Sequence, residues 1–277
     1  MLTKPIALQL YTVRDYMEKD FFGVLEKVAK MGYKGVEFAG FYGQSAEVIR
    51  KTLDNLGLCA ISSHLAFNNM LNNLDNEIAY HKIIGCKFVA VPYADDERRP
   101  GGLKFEETLK LYAQIGKKFK ENDLELLYHN HDFEFINYKN MFGLDYMYQN
   151  VPSEYLNPEI DTCWVNVAGQ NPAAYIEKYK GRCKVLHLKD FVMGKAANNG
   201  DLYALIDEKG NDLKKVESKK EDGFDFRPVG YGQQNVPSII AAAEKSGVEW
   251  YVVEQDRSTL CSSLEAAKLS IDYLNKL

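Results

Sequence analysis

Residues 21–39, FFGVLEKVAKMGYKGVEFA, carry two kinds of periodicity on either side of one glycine. Phe21, Val24, Leu25 and Val28 recur at helical spacing, so Phe21–Met31 reads as an amphipathic helix with one buried face. Gly32 follows, and glycine takes most easily the left-handed conformation that ends a helix. Residues 35–39 are then a short apolar run of strand length, broken by Glu37. Helix, glycine and buried strand make up the repeating unit of a parallel sheet.

The same rhythm runs in both directions. Residues 6–12 precede it, and runs at 59–65, 88–93, 124–131, 158–162, 184–189 and 250–255 follow, which makes eight candidate strands. Helical patterns separate them at 45–56 before Gly57, 73–84 before Gly85, 105–120 after the Pro100-Gly101-Gly102 turn, 172–179, 237–245 before Gly247, and 262–275. Pro172 stands at a helix start, where its missing N–H costs nothing. The expected fold class is therefore α/β, a (β/α)₈ barrel occupying residues 1–277 as a single domain. An open doubly wound sheet would often show a Gly-rich phosphate loop after its first strand, and Gln9-Leu10-Tyr11-Thr12-Val13-Arg14 is not one. The long, polar stretch 192–225 interrupts the rhythm before the last strand. It is expected to be an insertion on the catalytic face, with a helix over 201–218.

Composition narrows the function. The chain has 277 residues, 46% of them hydrophobic and 26% charged, an ordinary globular balance. Its net charge of −5 argues against a nucleic-acid partner, which would call for a basic face. Lys214-Lys215 and Lys219-Lys220 are interleaved with acids and read as a solvated face. No apolar run is long enough to span a membrane, and residues 1–5 begin a strand rather than a signal peptide. The five cysteines lack CxxC spacing, and several sit in apolar runs such as Leu58-Cys59-Ala60. Buried free thiols in a reducing, cytoplasmic setting are expected.

The active residues of such a barrel sit at the C-terminal ends of its strands. Ligand-type side chains gather there: Glu37, His64, the group His129-Asn130-His131 with Glu134, Asp161, His187-Leu188-Lys189-Asp190 and Glu254-Gln255-Asp256. Singly, each reads as a cap, a salt-bridge partner or a satisfied core histidine. Together they do not, because burying so many ionisable groups without a ligand is costly. Four of the five histidines stand at strand ends, and only His81 lies on a helix. Carboxylates with imidazole make a hard-to-borderline metal site, suited to Mn²⁺, Mg²⁺, Co²⁺ or Zn²⁺. An HExxH helix and a GxSxG elbow are both missing from the sequence.

These motifs carry a family resemblance. Leu8-Gln9-Leu10-Tyr11-Thr12-Val13-Arg14, Gly35-Val36-Glu37-Phe38, the run from Tyr128 to Phe135, Leu186-His187-Leu188-Lys189-Asp190 and Val253-Glu254-Gln255-Asp256 make the chain similar, over nearly its whole length, to the sugar phosphate isomerase/epimerase family of xylose isomerase-like barrels. That family includes ketose 3-epimerases, inosose dehydratase, dehydroshikimate dehydratase and, more distantly, endonuclease IV. The resemblance implies one divalent metal ion held by Glu134, Asp161, His187 and Glu254, with His131 or His129 as the replacement for Glu134. It implies a metal-stabilised enediolate, with Glu134 and Glu254 as acid/base groups and Glu37, His64, His129, Lys189 and Arg257 around a small sugar or keto-sugar. The other outcome at such a site is elimination by a dehydratase or lyase acting on a keto-sugar, an inosose or a 3-keto-glycoside, with His131 and His129 as base and acid. A non-catalytic sugar-binding barrel is the reading from a third class. Many relatives carry Gly-Glu-Gly where this chain has Gly230-Tyr231-Gly232, so that glutamate's role does not transfer. Five histidines are too few for the endonuclease cluster. A homo-oligomer is left open, since related barrels are often dimers or tetramers.

Overall fold

The computed structural model describes residues 2–194 and 223–277. Eight parallel strands close into a barrel: β1 Ile6–Gln9, β2 Gly35–Phe38, β3 Cys59–His64, β4 Phe88–Val91, β5 Glu125–His129, β6 Asn157–Asp161, β7 Val185–Leu188 and β8 Trp250–Val253. Each strand pairs with its neighbours in sequence, and β1 closes the ring on β8 through Ile6–Tyr251, Ala7–Val252 and Leu8–Val253. The eight-strand reading holds, with trimmed ends. The run expected at 6–12 leaves the sheet after Gln9 and winds into a 3₁₀ turn at Leu10–Val13, because the Gln9 side chain accepts a hydrogen bond from the N–H of Tyr11.

The helices follow the expected caps. Phe21–Met31 starts behind Asp20, whose carboxylate accepts from the N–H of Gly23, and stops at Gly32 with φ of 105°. Ser262 and Glu265 form a reciprocal capping box at the start of Ser263–Leu274. Outward-facing Leu8, Val36, Val89, Val91, Leu126, Tyr128, Ile160, Leu186, Tyr251 and Val253 pack under the helices in the main core. Burying one such aliphatic or aromatic side chain contributes about 1.5–3 kcal/mol. A separate plug of Ala7, Ile61, Phe88, Ala90, Leu127, Val185 and Val252 fills the barrel itself. Gly35 makes room for it: a Cβ there would meet Ile61 at 2.7 Å and Trp250 at 3.1 Å.

Past β7 the chain turns into Asp190–Met193, which pairs antiparallel with Phe224–Arg227. Residues 195–222, with the helix expected over 201–218, lie outside the described residues. The cysteines are all free, but Cys59 is exposed at the start of β3 rather than buried as expected.

Candidate metal centre at the mouth of the barrel

Successive strand residues point to opposite faces, so whatever lies two residues past an apolar plug residue also points inward. This rule places the polar layer. Gln9 follows Ala7, Glu37 follows Gly35, His129 follows Leu127, His187 follows Val185, Glu254 follows Val252, and β6 contributes both Glu159 and Asp161. All seven are buried.

Two sets of ligand-type atoms result, each lying within 4.8 Å of one another. One set is His129, Asp161, His187 and Glu254; the other is His64, His129, Glu159 and His187. In the first, His129 Nε2 is 3.5 Å from Asp161 Oδ2 and 4.0 Å from Glu254 Oε2. His187 Nδ1 is 2.9 Å from Glu254 Oε2. Lys189 Nζ stands beside them, 3.1 Å from Asp161 Oδ2, 2.8 Å from Glu254 Oε2 and 3.0 Å from Asp256 Oδ1. In the second, His64 Nε2 lies 2.8 Å from Glu159 Oε2 and 3.0 Å from Glu37 Oε1, while Gln9 donates to Glu37.

The electrostatics follow from packing these groups together. Burial pushes the Glu37 carboxyl up, but the facing charges of His64 and His187 outweigh it and hold it well below the usual range. Burial opposes the His64 proton, yet Glu37 and Glu159 raise its pKa to about 10. His187 is raised in the same way by Glu37, Glu159 and Glu254. Burial, then the charges of His187, His64 and Lys189, drive His129 well down, so this ring is neutral with a free lone pair. Burial pushes Glu159 up to about 7, and Glu37 adds to it. At Glu254 burial is overcome by Lys189 and His187, and the carboxyl stays ionised.

A divalent cation fits this donor set. Asp161 Oδ2, His129 Nδ1, His187 Nε2 and Glu37 Oε2 are buried atoms without a hydrogen-bond partner. Leaving buried polar atoms unsatisfied costs roughly 1–3 kcal/mol each, and imidazole with carboxylate is the chemistry that binds Zn²⁺ or Mn²⁺.

Comparison with known proteins agrees with the barrel. The family description Xylose isomerase-like TIM barrel matches residues 25–277. The chain belongs to that family. It is similar to an inosose dehydratase of Mesomycoplasma hyopneumoniae, 22% identical, with 93% of this chain and 88% of that protein covered. Among solved structures it is similar to a sugar phosphate isomerase/epimerase from Parabacteroides distasonis, with a TM-score of 0.75, 22% identity, and 99% and 98% of the two chains covered. It is also similar to the IOLI protein with a bound zinc atom, with a TM-score of 0.67, 12% identity, and 98% and 97% covered. At these identities the structural likeness establishes the fold.

Within this xylose isomerase-like barrel the expected site residues separate. Asp161, His187, Glu254, His129, His64, Glu37 and Lys189 converge at the mouth. Glu134 belongs to neither ligand set. It lies three residues past His131 in a 3₁₀ turn, where Tyr128 Oη donates to its Oε1 at 2.6 Å and the His131 N–H donates to its Oε2 at 2.8 Å. Since Tyr128 is an outward-facing core residue, the carboxylate is drawn into the wall behind the mouth. His129 belongs to both sets. His131 stacks on Phe133 with ring centroids 5.1 Å apart and packs edge-on against Tyr93. Arg257 is half exposed, 3.8 Å from Asp225. Glu159 was missed by the sequence reading. Its signal was available, because it stands two residues before Asp161 on one strand and so shares its face.

Proposed function

We propose that this chain is a metal-dependent enzyme that removes a proton from the carbon beside the carbonyl of a small sugar or keto-sugar, as an isomerase or epimerase. The observation that carries the reading is the gathering of His129, Asp161, His187 and Glu254 at the C-terminal end of the barrel. His129, Asp161, His187 and Glu254 would hold one divalent ion. Mn²⁺, Mg²⁺, Co²⁺ and Zn²⁺ all suit the set, and a zinc-bound relative of this fold supports the choice of a divalent metal. A bound ion supplies Lewis acidity, which acidifies a C–H next to a chelated carbonyl. Glu254, kept ionised, is the proton acceptor. Lys189 orients a substrate oxygen, and His64 and Glu37 contact hydroxyls. His131, Phe133 and Tyr93 form an aromatic wall for the apolar face of a sugar ring. For epimerisation, Glu254 holds the abstracted proton, and His131, kept neutral by burial, would donate its ring N–H proton from that wall and recover one from solvent as Glu254 releases its own.

A second reading is dehydration. Its support is the Lys189 ammonium 2.8 Å from Glu254 Oε2, which sets an acid beside the base, together with the curated inosose dehydratases that resemble this chain. Glu254 takes the C–H proton, the C–O bond to the β-hydroxyl breaks, and Lys189 protonates the departing oxygen to release water. The acidic balance and free thiols support a cytoplasmic enzyme of small molecules rather than a nucleic-acid binder.

The test is turnover of ketoses and an inosose by protein stripped with chelator and reloaded with Mn²⁺ or Zn²⁺. Metal-dependent formation of a reversible mixture identifies the epimerase, and an absorbing unsaturated product identifies the dehydratase. Binding of these compounds without any turnover would instead support a sugar-binding barrel.

A further inference from the structure

Lys189 stands among three carboxylates, and two of them are proposed metal ligands. Its Nζ lies 2.8 Å from Glu254 Oε2 and 3.1 Å from Asp161 Oδ2, while Asp256 meets it with both oxygens, at 3.0 and 3.3 Å. The same Glu254 and Asp161 oxygens face Nε2 of His129, at 4.0 and 3.5 Å. Lys189 therefore rests its positive charge on the oxygens that an ion would need, and like charges repel.

Where the ammonium can go is set by its surroundings. Lys189 is 2% exposed. The rings of Trp164 and Phe226 lie 5.5 and 5.7 Å from Nζ and offer it no carboxylate. Among the described residues, Asp256 is its one ion-pair partner outside the proposed ligand set. The Asp256 side chain is 18% exposed, and it lines a cleft of about 390 Å³ together with Arg14, Arg257 and Ser262. A move toward Asp256 is thus a move toward solvent.

Asp256 is braced from β1. Arg14 donates through Nη1 to the Asp256 carbonyl oxygen at 2.8 Å, and the N–H of Gln255 donates to Thr12 Oγ1 at 3.1 Å. The Arg14 guanidinium lies over the Tyr11 ring, 3.9 Å from its centroid. These bonds join the end of β8 to the segment after β1, across the pair of strands that closes the barrel. The carboxylate is held in place before the ammonium turns to it.

We propose that Asp256 is a positioning residue: it draws the Lys189 ammonium off Glu254 and Asp161 when a divalent ion takes their oxygens, and so sets how tightly the ion is held. An ammonium has three N–H donors. Asp256 occupies two of them, and the third stays available for the substrate oxygen assigned to Lys189. The proposal rests on the mouth being a metal centre, and its test separates the two claims.

Mn²⁺ affinity is measured by calorimetry on chelator-stripped wild type, Asp256→Asn, Lys189→Met and the double variant, with circular dichroism to confirm folding. Asp256→Asn is expected to bind roughly 10–100-fold more weakly than wild type, the range for groups that support metal ligands. Lys189→Met is expected to bind at least as tightly as wild type. The double variant is expected to match Lys189→Met within about three-fold, because Asp256 acts only through the ammonium. Equal weakening by Asp256→Asn with and without Lys189 would mean that Asp256 attracts the ion directly or only supports the fold, and overturns the proposal. So does wild-type affinity in Asp256→Asn, or weaker binding by Lys189→Met. A second readout needs no variant. In a crystal structure of Mn²⁺-loaded wild type, Nζ is expected within hydrogen-bond reach of Asp256 and beyond about 3.5 Å from Glu254 Oε2. Nζ still bonded to Glu254 beside a bound ion overturns the proposal and leaves the metal-centre reading standing. Wild type that binds no Mn²⁺ overturns both.

Discussion

Nδ1 of His187 lies 2.9 Å from Oε2 of Glu254, so β7 and the residue just past β8 are tied together at the point where the chemistry is assigned. Lys189 reaches the same oxygen at 2.8 Å. This pairing keeps Glu254 ionised although it is buried. Glu254→Gln preserves the shape but removes the charge and the proton acceptor proposed above. Its kcat is expected to fall roughly 10²–10⁴-fold, the range of a lost general base, with the barrel still folded by circular dichroism. Activity within a few-fold of wild type would remove Glu254 from the base role.

Glu134 separates the geometry from the family-based expectation. Burial pushes its carboxyl up to about 7, while hydrogen bonds from Tyr128 and the His131 N–H pull it down. A carboxyl raised from about 4.5 to about 7 lets the folded state bind more protons than the unfolded chain between those values, so stability drops as pH rises through that window. The total is about 3 kcal/mol, largely spent by pH 8. Glu134→Gln is expected to flatten that part of the pH profile in urea unfolding and to keep its bound metal. Loss of metal in this variant would restore Glu134 as a ligand.

What the sequence disclosed and what it hid follow from one distinction. Strand identity and inward-facing residues obey a local rule of alternation, so Asp161, His187 and Glu254 were readable from strand ends. The direction of a side chain beyond a strand end is not local. Glu134 is turned by Tyr128, whose outward position is set by the closed barrel. Asp190 is a further case. As a neighbour of His187 it reads as a candidate partner for that ring, yet it serves the loop that follows Arg227.

That loop gives a stability prediction. The Asp190 carboxylate accepts from the N–H groups of Phe191, Gly230, Gly232 and Gln234 at 2.9–3.0 Å. Asp190→Ala leaves these donors unpaired and is expected to destabilise the protein by about 3–5 kcal/mol, measured by chemical denaturation. Gly232→Ala is expected to destabilise as well, because a Cβ would sit 2.2 Å from Asp190 Oδ1 and 2.5 Å from the Phe191 carbonyl oxygen. Neutral results in both would show that the clamp does not hold the loop.

His81 provides a pH dependence away from the mouth. It is buried against Phe41 and Tyr80, its Nδ1 lies 2.7 Å from the Glu77 carbonyl oxygen, and burial lowers its pKa to about 4. Between about 4 and 6.5 the unfolded chain holds the proton and the folded protein does not, so stability falls as pH falls through that window. The slope is at most about 1.4 kcal/mol per pH unit, for a total of about 3 kcal/mol. In His81→Gln that component is expected to vanish, so the difference from wild type narrows or reverses between pH 6.5 and 4. Parallel profiles would mean that His81 titrates normally in the fold.

The central claim is that the mouth removes a proton from carbon beside a carbonyl, a step common to epimerisation and dehydration. The most direct measurement is proton exchange by nuclear magnetic resonance, with Mg²⁺- or Zn²⁺-loaded protein, a ketose and an inosose in deuterated water. The account predicts deuterium entering at the carbon next to the carbonyl in at least one of them, with loss of that exchange in Glu254→Gln and after chelation. Exchange that persists unchanged in Glu254→Gln and in metal-free protein, or no exchange with metal bound, would contradict it.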